Sequence, residues 1–152
     1  MAVCCFIGHR ELEITEKLEQ RIYEQVEKLI CDEEVNTFLF GSKSLFNSLC
    51  YEQVTKLKQQ YPDIKRIYLR AEFPDITDDY QRYLLERYED TYYAPAVAGR
   101  MVYVERNRKM IDKSDICIMY YREQTGRVSK KSGTKIALEY ARKRKKKIIL
   151  FP

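Results

Sequence analysis

Val3-Cys4-Cys5-Phe6-Ile7, followed at once by Gly8-His9-Arg10, decides the fold. Five apolar residues in succession, ended by a glycine, form the pattern of a strand buried on both faces, as in a parallel sheet covered by helices. Downstream, Ile14, Leu18, Ile22, Val26 and Leu29 recur at helical spacing with Glu and Lys between them, and the pattern ends near Cys31-Asp32. Thr37-Phe38-Leu39-Phe40 is a second short apolar run, broken by Gly41-Ser42-Lys43-Ser44. A second helix is expected from Leu45 to Gln60, where Tyr61-Pro62 stops it, because proline disfavours a helical residue before it.

Ile67-Tyr68-Leu69 reads as a third strand ending in Arg70-Ala71-Glu72. Asp75-Ile76-Thr77-Asp78-Asp79 resembles a helix cap leading into a short helix with Tyr80, Tyr83, Leu84 and Tyr88. Tyr92-Tyr93-Ala94 is expected to be a short extra strand, and Met101 to Asp112 a helix. Ile116 to Tyr120 is another buried strand, Arg122 to Lys131 a polar loop, Ser132-Gly133-Thr134 the opening of a last helix, and Ile148 to Phe151 the final strand. Strands alternating with amphipathic helices predict an α/β chain: a single Rossmann-like domain over residues 1–152, with a mostly parallel sheet and helices on both faces.

Composition narrows the function classes. At 152 residues the chain suits one domain with a substantial core. Its longest apolar stretch, Ala2 to Ile7, falls far short of the roughly 20 residues of a membrane span, and no secretory leader is recognisable. The expected location is the cytoplasm, with no membrane partner. The cysteines, Cys4, Cys5, Cys31, Cys50 and Cys117, include no CxxC pair and read as small buried hydrophobes in a reducing compartment. With His9 as the one histidine, no metal site is expected. Much of the net charge of +5 lies in the run Arg142-Lys143-Arg144-Lys145-Lys146-Lys147, either a solvated helix end or a surface for nucleic acid.

In sheets of this kind, ligands bind beyond the carboxyl ends of the strands. The sequence places there Gly8-His9-Arg10, Gly41-Ser42-Lys43, Glu72, Tyr120-Tyr121 and the helix start Ser132-Gly133-Thr134. Glycine permits close backbone approach, arginine offers paired donors to phosphate, and a helix N-terminus offers free N–H groups. A phosphate-bearing small molecule is the natural occupant. Neither GxGxxG after the first strand nor GxxxxGK[ST] is present, which argues against a dinucleotide dehydrogenase or a P-loop NTPase; no resident cofactor is expected.

Cys4-Cys5-Phe6-Ile7-Gly8-His9-Arg10 resembles the C-C-F-T/I-G-H-R opening of YpsA-like proteins, members of the SMF/DprA–LOG (SLOG) superfamily of Rossmann-like domains. The likeness runs nearly the whole chain. Phe40-Gly41-Ser42-Lys43-Ser44-Leu45-Phe46-Asn47 stands in place of the family's glycine-rich second loop, with Leu45 where glycine is common and Asn47 where aspartate is common. Val104 to Asp112 resembles its x-R-N-x-x-M-I-D helix, and Ser132-Gly133-Thr134-Lys135-Ile136-Ala137 its S/G-G-T-x-x-A turn. The resemblance implies that Arg10, Lys43 and Arg106 hold phosphates, that Ser132 and Thr134 donate to phosphate or ribose oxygens, and that Gly8, Gly41 and Gly133 admit the ligand. It gives Asn47, Glu72 and Asn107 to ribose or base edges, and Tyr120 or Tyr121 to base stacking. Alternatively, Arg106 pairs with Glu72 or an aspartate and Asn107 caps a loop.

The superfamily includes the LONELY GUY phosphoribohydrolases, whose turn reads P-G-G-x-G-T-x-x-E. Here Ala137 occupies the glutamate's position, and Glu139 lies two residues, about 200°, further round the helix. The resemblance therefore implies binding without catalysis: sensing, carrying or sequestering an ADP-ribose-type or cyclic nucleotide, as SLOG domains in bacterial immunity and phage settings do. The alternatives are a nucleotide N-glycosidase using Glu72 or Glu139, and a module for single-stranded DNA or a protein partner. A homo-oligomer is a further expectation, from the tyrosines between Tyr80 and Tyr93.

Overall fold

The computed structural model describes residues 2–94, 101–122 and 132–151. Six strands form one sheet: β1 (Ala2–Gly8), β2 (Val35–Phe40), β3 (Lys65–Arg70), β4 (Asp90–Tyr93), β5 (Ile116–Tyr120) and β6 (Lys147–Phe151). Their order is β4-β3-β2-β1-β5-β6, and every neighbouring pair is parallel. The sheet is thus wholly rather than mostly parallel, because the short strand β4 also pairs in parallel, with Ile67 opposite Asp90 and Arg70 opposite Tyr93.

Five helices connect the strands: α1 (Glu16–Asp32), α2 (Leu45–Lys58), α3 (Asp78–Leu85), α4 (Val102–Lys113) and α5 (Gly133–Lys143). Four of them start on a hydroxyl cap. Thr15, Ser44, Thr77 and Ser132 accept from the backbone N–H three residues on, which satisfies a donor the helix cannot bond itself. Capping at Thr15 leaves Ile14 before the helix and exposed, not on the buried stripe where its spacing had put it.

The alternation of side chains along β1 separates two cores. Cys4 and Phe6 face α1 and α2, beside Phe38, Phe40, Ile118 and the buried stripe Leu18-Ile22-Val26-Leu29. Cys5 and Ile7 face α4 and α5, beside Leu39, Cys117, Met119, Met110, Ile111 and Leu138. The result is a three-layer α/β arrangement of the Rossmann-like kind. All five cysteines are free thiols, and all but Cys31 are buried. Burial pushes the Cys4 and Cys50 thiols well up, as for inert core residues. Among the described residues no helix is long and apolar enough to cross a membrane.

The tyrosines between Tyr80 and Tyr93 are mostly half-buried, and Tyr83 is the exposed one. Tyr88 packs among the rings of Phe40, Tyr51 and Tyr68, so much of this aromatic set serves the fold.

Candidate functional site

From β1 the chain builds outward to β4, then returns to lay β5 on the other side of β1. The carboxyl ends of β1 and β5 therefore form the point at which winding reverses, and the helices on either face diverge there to leave a crevice. A cleft of about 1410 Å³ opens at this end of the sheet. It is lined from Gly8-His9-Arg10 after β1, Gly41 to Ser44 after β2, Arg70 to Phe73 after β3, Tyr103, Arg106, Asn107 and Met110 on α4, Tyr120 and Arg122 at β5, and Ser132 to Thr134 at α5. Of the residues singled out from sequence, Tyr121 and Glu139 do not line it. The loop expected between Arg122 and Lys131 lies, past Arg122, outside the described residues.

His9 bridges the reversal point. Its Nε2 accepts the Arg122 backbone N–H at 2.8 Å. Its ring meets Tyr120 edge-on at 5.9 Å and Tyr121 at 5.4 Å. Arg10 projects into solvent at the mouth, while its carbonyl accepts the Leu45 N–H at 2.9 Å and ties this loop to α2.

The two helix starts in the cleft differ. At α2 the first donor is taken: Leu45 N–H goes to Arg10 O, and Asn47 N–H goes to Ser44, whose hydroxyl also accepts from Ser42. At α5, Ser132 caps Lys135 N–H at 3.1 Å, but the N–H groups of Gly133 and Thr134 have no partner among the described residues. Among the described residues nothing lies within 4 Å of where a Gly133 side chain would begin. This is an open, positively polarised helix end at the winding reversal.

Arg106 is the most unusual side chain in the cleft. It is 6% exposed, and its Nε and Nη2 donate to Asn107 Oδ1 at 3.3 and 3.2 Å. Among the described residues it forms no ion pair, so the expected alternative of pairing with Glu72 or an aspartate is not what the structure contains. Burial brings its pKa down to about 10, against a weaker upward pull from Tyr68 and Glu72. A guanidinium kept charged in so dry a place calls for an anion. Gly41 makes its position possible: a Cβ there would lie 2.8 Å from Arg106 Cδ and 2.7 Å from Met110 Sδ. Gly41 thus admits the arginine that faces the cleft, where sequence reasoning had it admitting the ligand.

Two further assignments change in the same way. A Cβ on Gly8 would fall 2.3 Å from the ring of the fully buried Phe46, so this glycine serves the docking of α2 on β1. Asn47 lies at the floor of the cleft, but its amide donates to Phe6 O at 2.9 Å and accepts Gly41 N–H at 3.3 Å. It ties the ends of β1 and β2 together instead of reaching outward. Lys43 is exposed at the rim.

Tyr120 is 6% exposed and packs on Phe46 at 5.6 Å, so neither Tyr120 nor Tyr121 presents a free face in the cleft. The available rings are others: Tyr68, Phe73, Tyr80 and Tyr103. Tyr103 could have been found from sequence, because it lies three residues before Arg106 and shares its helix face. Arg70, also overlooked, fixes the loop that carries Phe73, donating to Phe73 O, Pro74 O and Thr91 Oγ1. The cleft carries five cations, Arg10, Lys43, Arg70, Arg106 and Arg122, against three glutamates, Glu11, Glu13 and Glu72. Glu72 accepts a hydrogen bond from the Tyr103 hydroxyl. Ala137 is buried in the core, and Glu139 is exposed and does not line the cleft. Among the described residues no cluster of His, Cys, Asp and Glu is arranged to hold a metal ion.

The basic run from Arg142 to Lys147 lies at the opposite end of the sheet, between the end of α5 and the start of β6. Two of its charges are engaged, Arg144 with Asp112 at 3.0 Å and Lys147 with Glu33 at 2.7 Å.

Compared with models of protein families, residues 6–151 match the one described as the YspA SLOG family, YpsA. A search of the curated proteins returns no match.

Proposed function

Because this chain belongs to the YpsA family of SLOG proteins, we propose that its cleft binds a phosphate-bearing nucleotide derivative, of ADP-ribose or cyclic-nucleotide type, and holds it intact. The observation that carries this reading is Arg106, a buried guanidinium facing a cleft without a carboxylate partner among the described residues. The open N–H groups of Gly133 and Thr134 supply a second anion position. Arg10, Lys43 and Arg122, at the mouth, raise the local concentration of anions. The volume exceeds the roughly 300–1,000 Å³ of an ordinary small-molecule pocket, which suits a ligand with more than one phosphate or sugar.

Retention without cleavage is supported by the carboxylates. The helix position that carries glutamate in the related hydrolases is the buried Ala137, and Glu139 is off the cleft. Glu72 is already hydrogen-bonded by Tyr103. The test is to incubate the protein with AMP, cyclic nucleotides, NAD and ADP-ribose, measure the melting temperature with each, and chromatograph the recovered ligand. A rise in melting temperature with unchanged ligand is expected. Release of a free base would replace this reading with an N-glycosidase, and no rise with any member would remove the nucleotide site.

A further inference from the structure

We infer that the base of the bound nucleotide lies on the exposed rings of Tyr103 and Phe73, on the β3–α4 side of the cleft, with Glu72 facing its ribose. This rests on the reading that a nucleotide occupies the cleft, and it fixes which way round the nucleotide lies. Tyr103 is 49% exposed and Phe73 57% exposed, yet both line the cleft. Neither ring packs on another aromatic ring among the described residues, unlike Tyr88 and Tyr120, which are built into the core.

Tyr103 sits next to the phosphate-seeking Arg106, and Phe73 lines the same cleft. The Arg106 guanidinium carbon lies 5.5 Å from the centre of the Tyr103 ring, so one cation sees both the ring and the cleft. A base stacked on Tyr103 leaves its phosphate within reach of Arg106. Glu72, beside Phe73 in sequence, accepts from the Tyr103 hydroxyl through one oxygen, and its second oxygen suits a ribose hydroxyl.

Phe73 is held in place deliberately. Its φ is 61°, a left-handed conformation that a bulky residue rarely adopts, and Arg70 fastens the loop through Phe73 O and Pro74 O. Among the described residues Phe73 stacks on no other ring, and a stacking platform explains both its exposure and its fixation. Every base offers a π-face, so such a platform selects for a nucleobase over a bare sugar phosphate without choosing strongly among bases.

The test compares AMP with ribose 5-phosphate, by calorimetric titration, on the wild-type chain and on Tyr103→Leu and Phe73→Leu. Both rings are exposed, so melting temperatures should stay near wild type. The inference expects AMP binding to weaken about tenfold or more in each variant, with ribose 5-phosphate unchanged. A Tyr103→Trp variant adds an independent readout, because the chain has no tryptophan: its fluorescence should be quenched by AMP and not by ribose 5-phosphate. Equal wild-type affinity for both probes, with both lost in Arg106→Met, would overturn the base platform while leaving the phosphate site standing. AMP binding unaltered in both leucine variants would also overturn it. No binding of AMP to the wild-type chain would overturn the platform, whereas the nucleotide reading falls only if the cyclic nucleotides, NAD and ADP-ribose fail to bind as well.

Discussion

Replacing Arg106 by methionine should stabilise the empty protein and abolish its response to nucleotide. The magnitude follows from the buried guanidinium. Its pKa is brought down to about 10 from the ordinary arginine value, and at about 1.4 kcal/mol per pH unit this corresponds to roughly 3 kcal/mol held against the charge. Methionine keeps the apolar stem that packs on Gly41 and removes the charge. The loss of two hydrogen bonds to Asn107 offsets part of the gain, leaving about 1–2 kcal/mol of net stabilisation. For a chain of this size that is a rise of about 2–8 °C in melting temperature. Urea denaturation measures the first quantity, and the melting-temperature response to AMP the second. A variant that is less stable than wild type and still responds fully to AMP would refute the reasoning, because Arg106 would then be a structural residue.

Further outcomes follow from other parts of the structure. Gly8→Ala places a methyl group 2.3 Å from the buried Phe46 ring, and overpacking of this kind should lower stability by about 2–3 kcal/mol. The double variant with Phe46→Leu should recover part of that loss in the same urea titration. Glu89 is reached by Arg66 Nε at 3.0 Å and Nη2 at 2.8 Å; partial burial raises its pKa, but these bonds outweigh burial and hold the carboxyl below its ordinary value. Its contribution is therefore complete above the unfolded carboxylate value, about 4.5, and fades as pH falls through the lower folded value. Urea midpoints should fall more steeply in acid for wild type than for Glu89→Gln. Changing Lys143 and Lys145 to glutamine, at the far end of the sheet, should leave AMP affinity unchanged when measured at fixed salt. A large change would favour an electrostatic role for the basic run.

The strands and helices were legible because each apolar run is short and ends at a breaker, as at Gly8, Gly41 and Pro62. The position of the cleft was legible too, because topology alone directs attention to the strand ends. What the sequence hid was direction. Nothing in one dimension shows that Gly8 yields to Phe46, that Gly41 yields to Arg106, or that the Asn47 amide turns inward to Phe6 and Gly41. Tyrosine is equally apt to be core or platform, so Tyr120, at a strand end, looked a better stacking residue than Tyr103, on a helix. Their exposures of 6% and 49% reverse that order. Phe73 was invisible because a left-handed backbone at phenylalanine has no composition signal.

The most direct measurement is a ¹⁵N-edited titration, feasible for a chain of 18.3 kDa, in which AMP is added while the backbone amides and arginine side-chain Nε–H signals are followed. The account predicts that Gly133 and Thr134 amides and Arg106 Nε–H move together, with one saturation curve. Shifts confined to the basic run, or saturable shifts elsewhere with Arg106 and Gly133 unmoved, would contradict it.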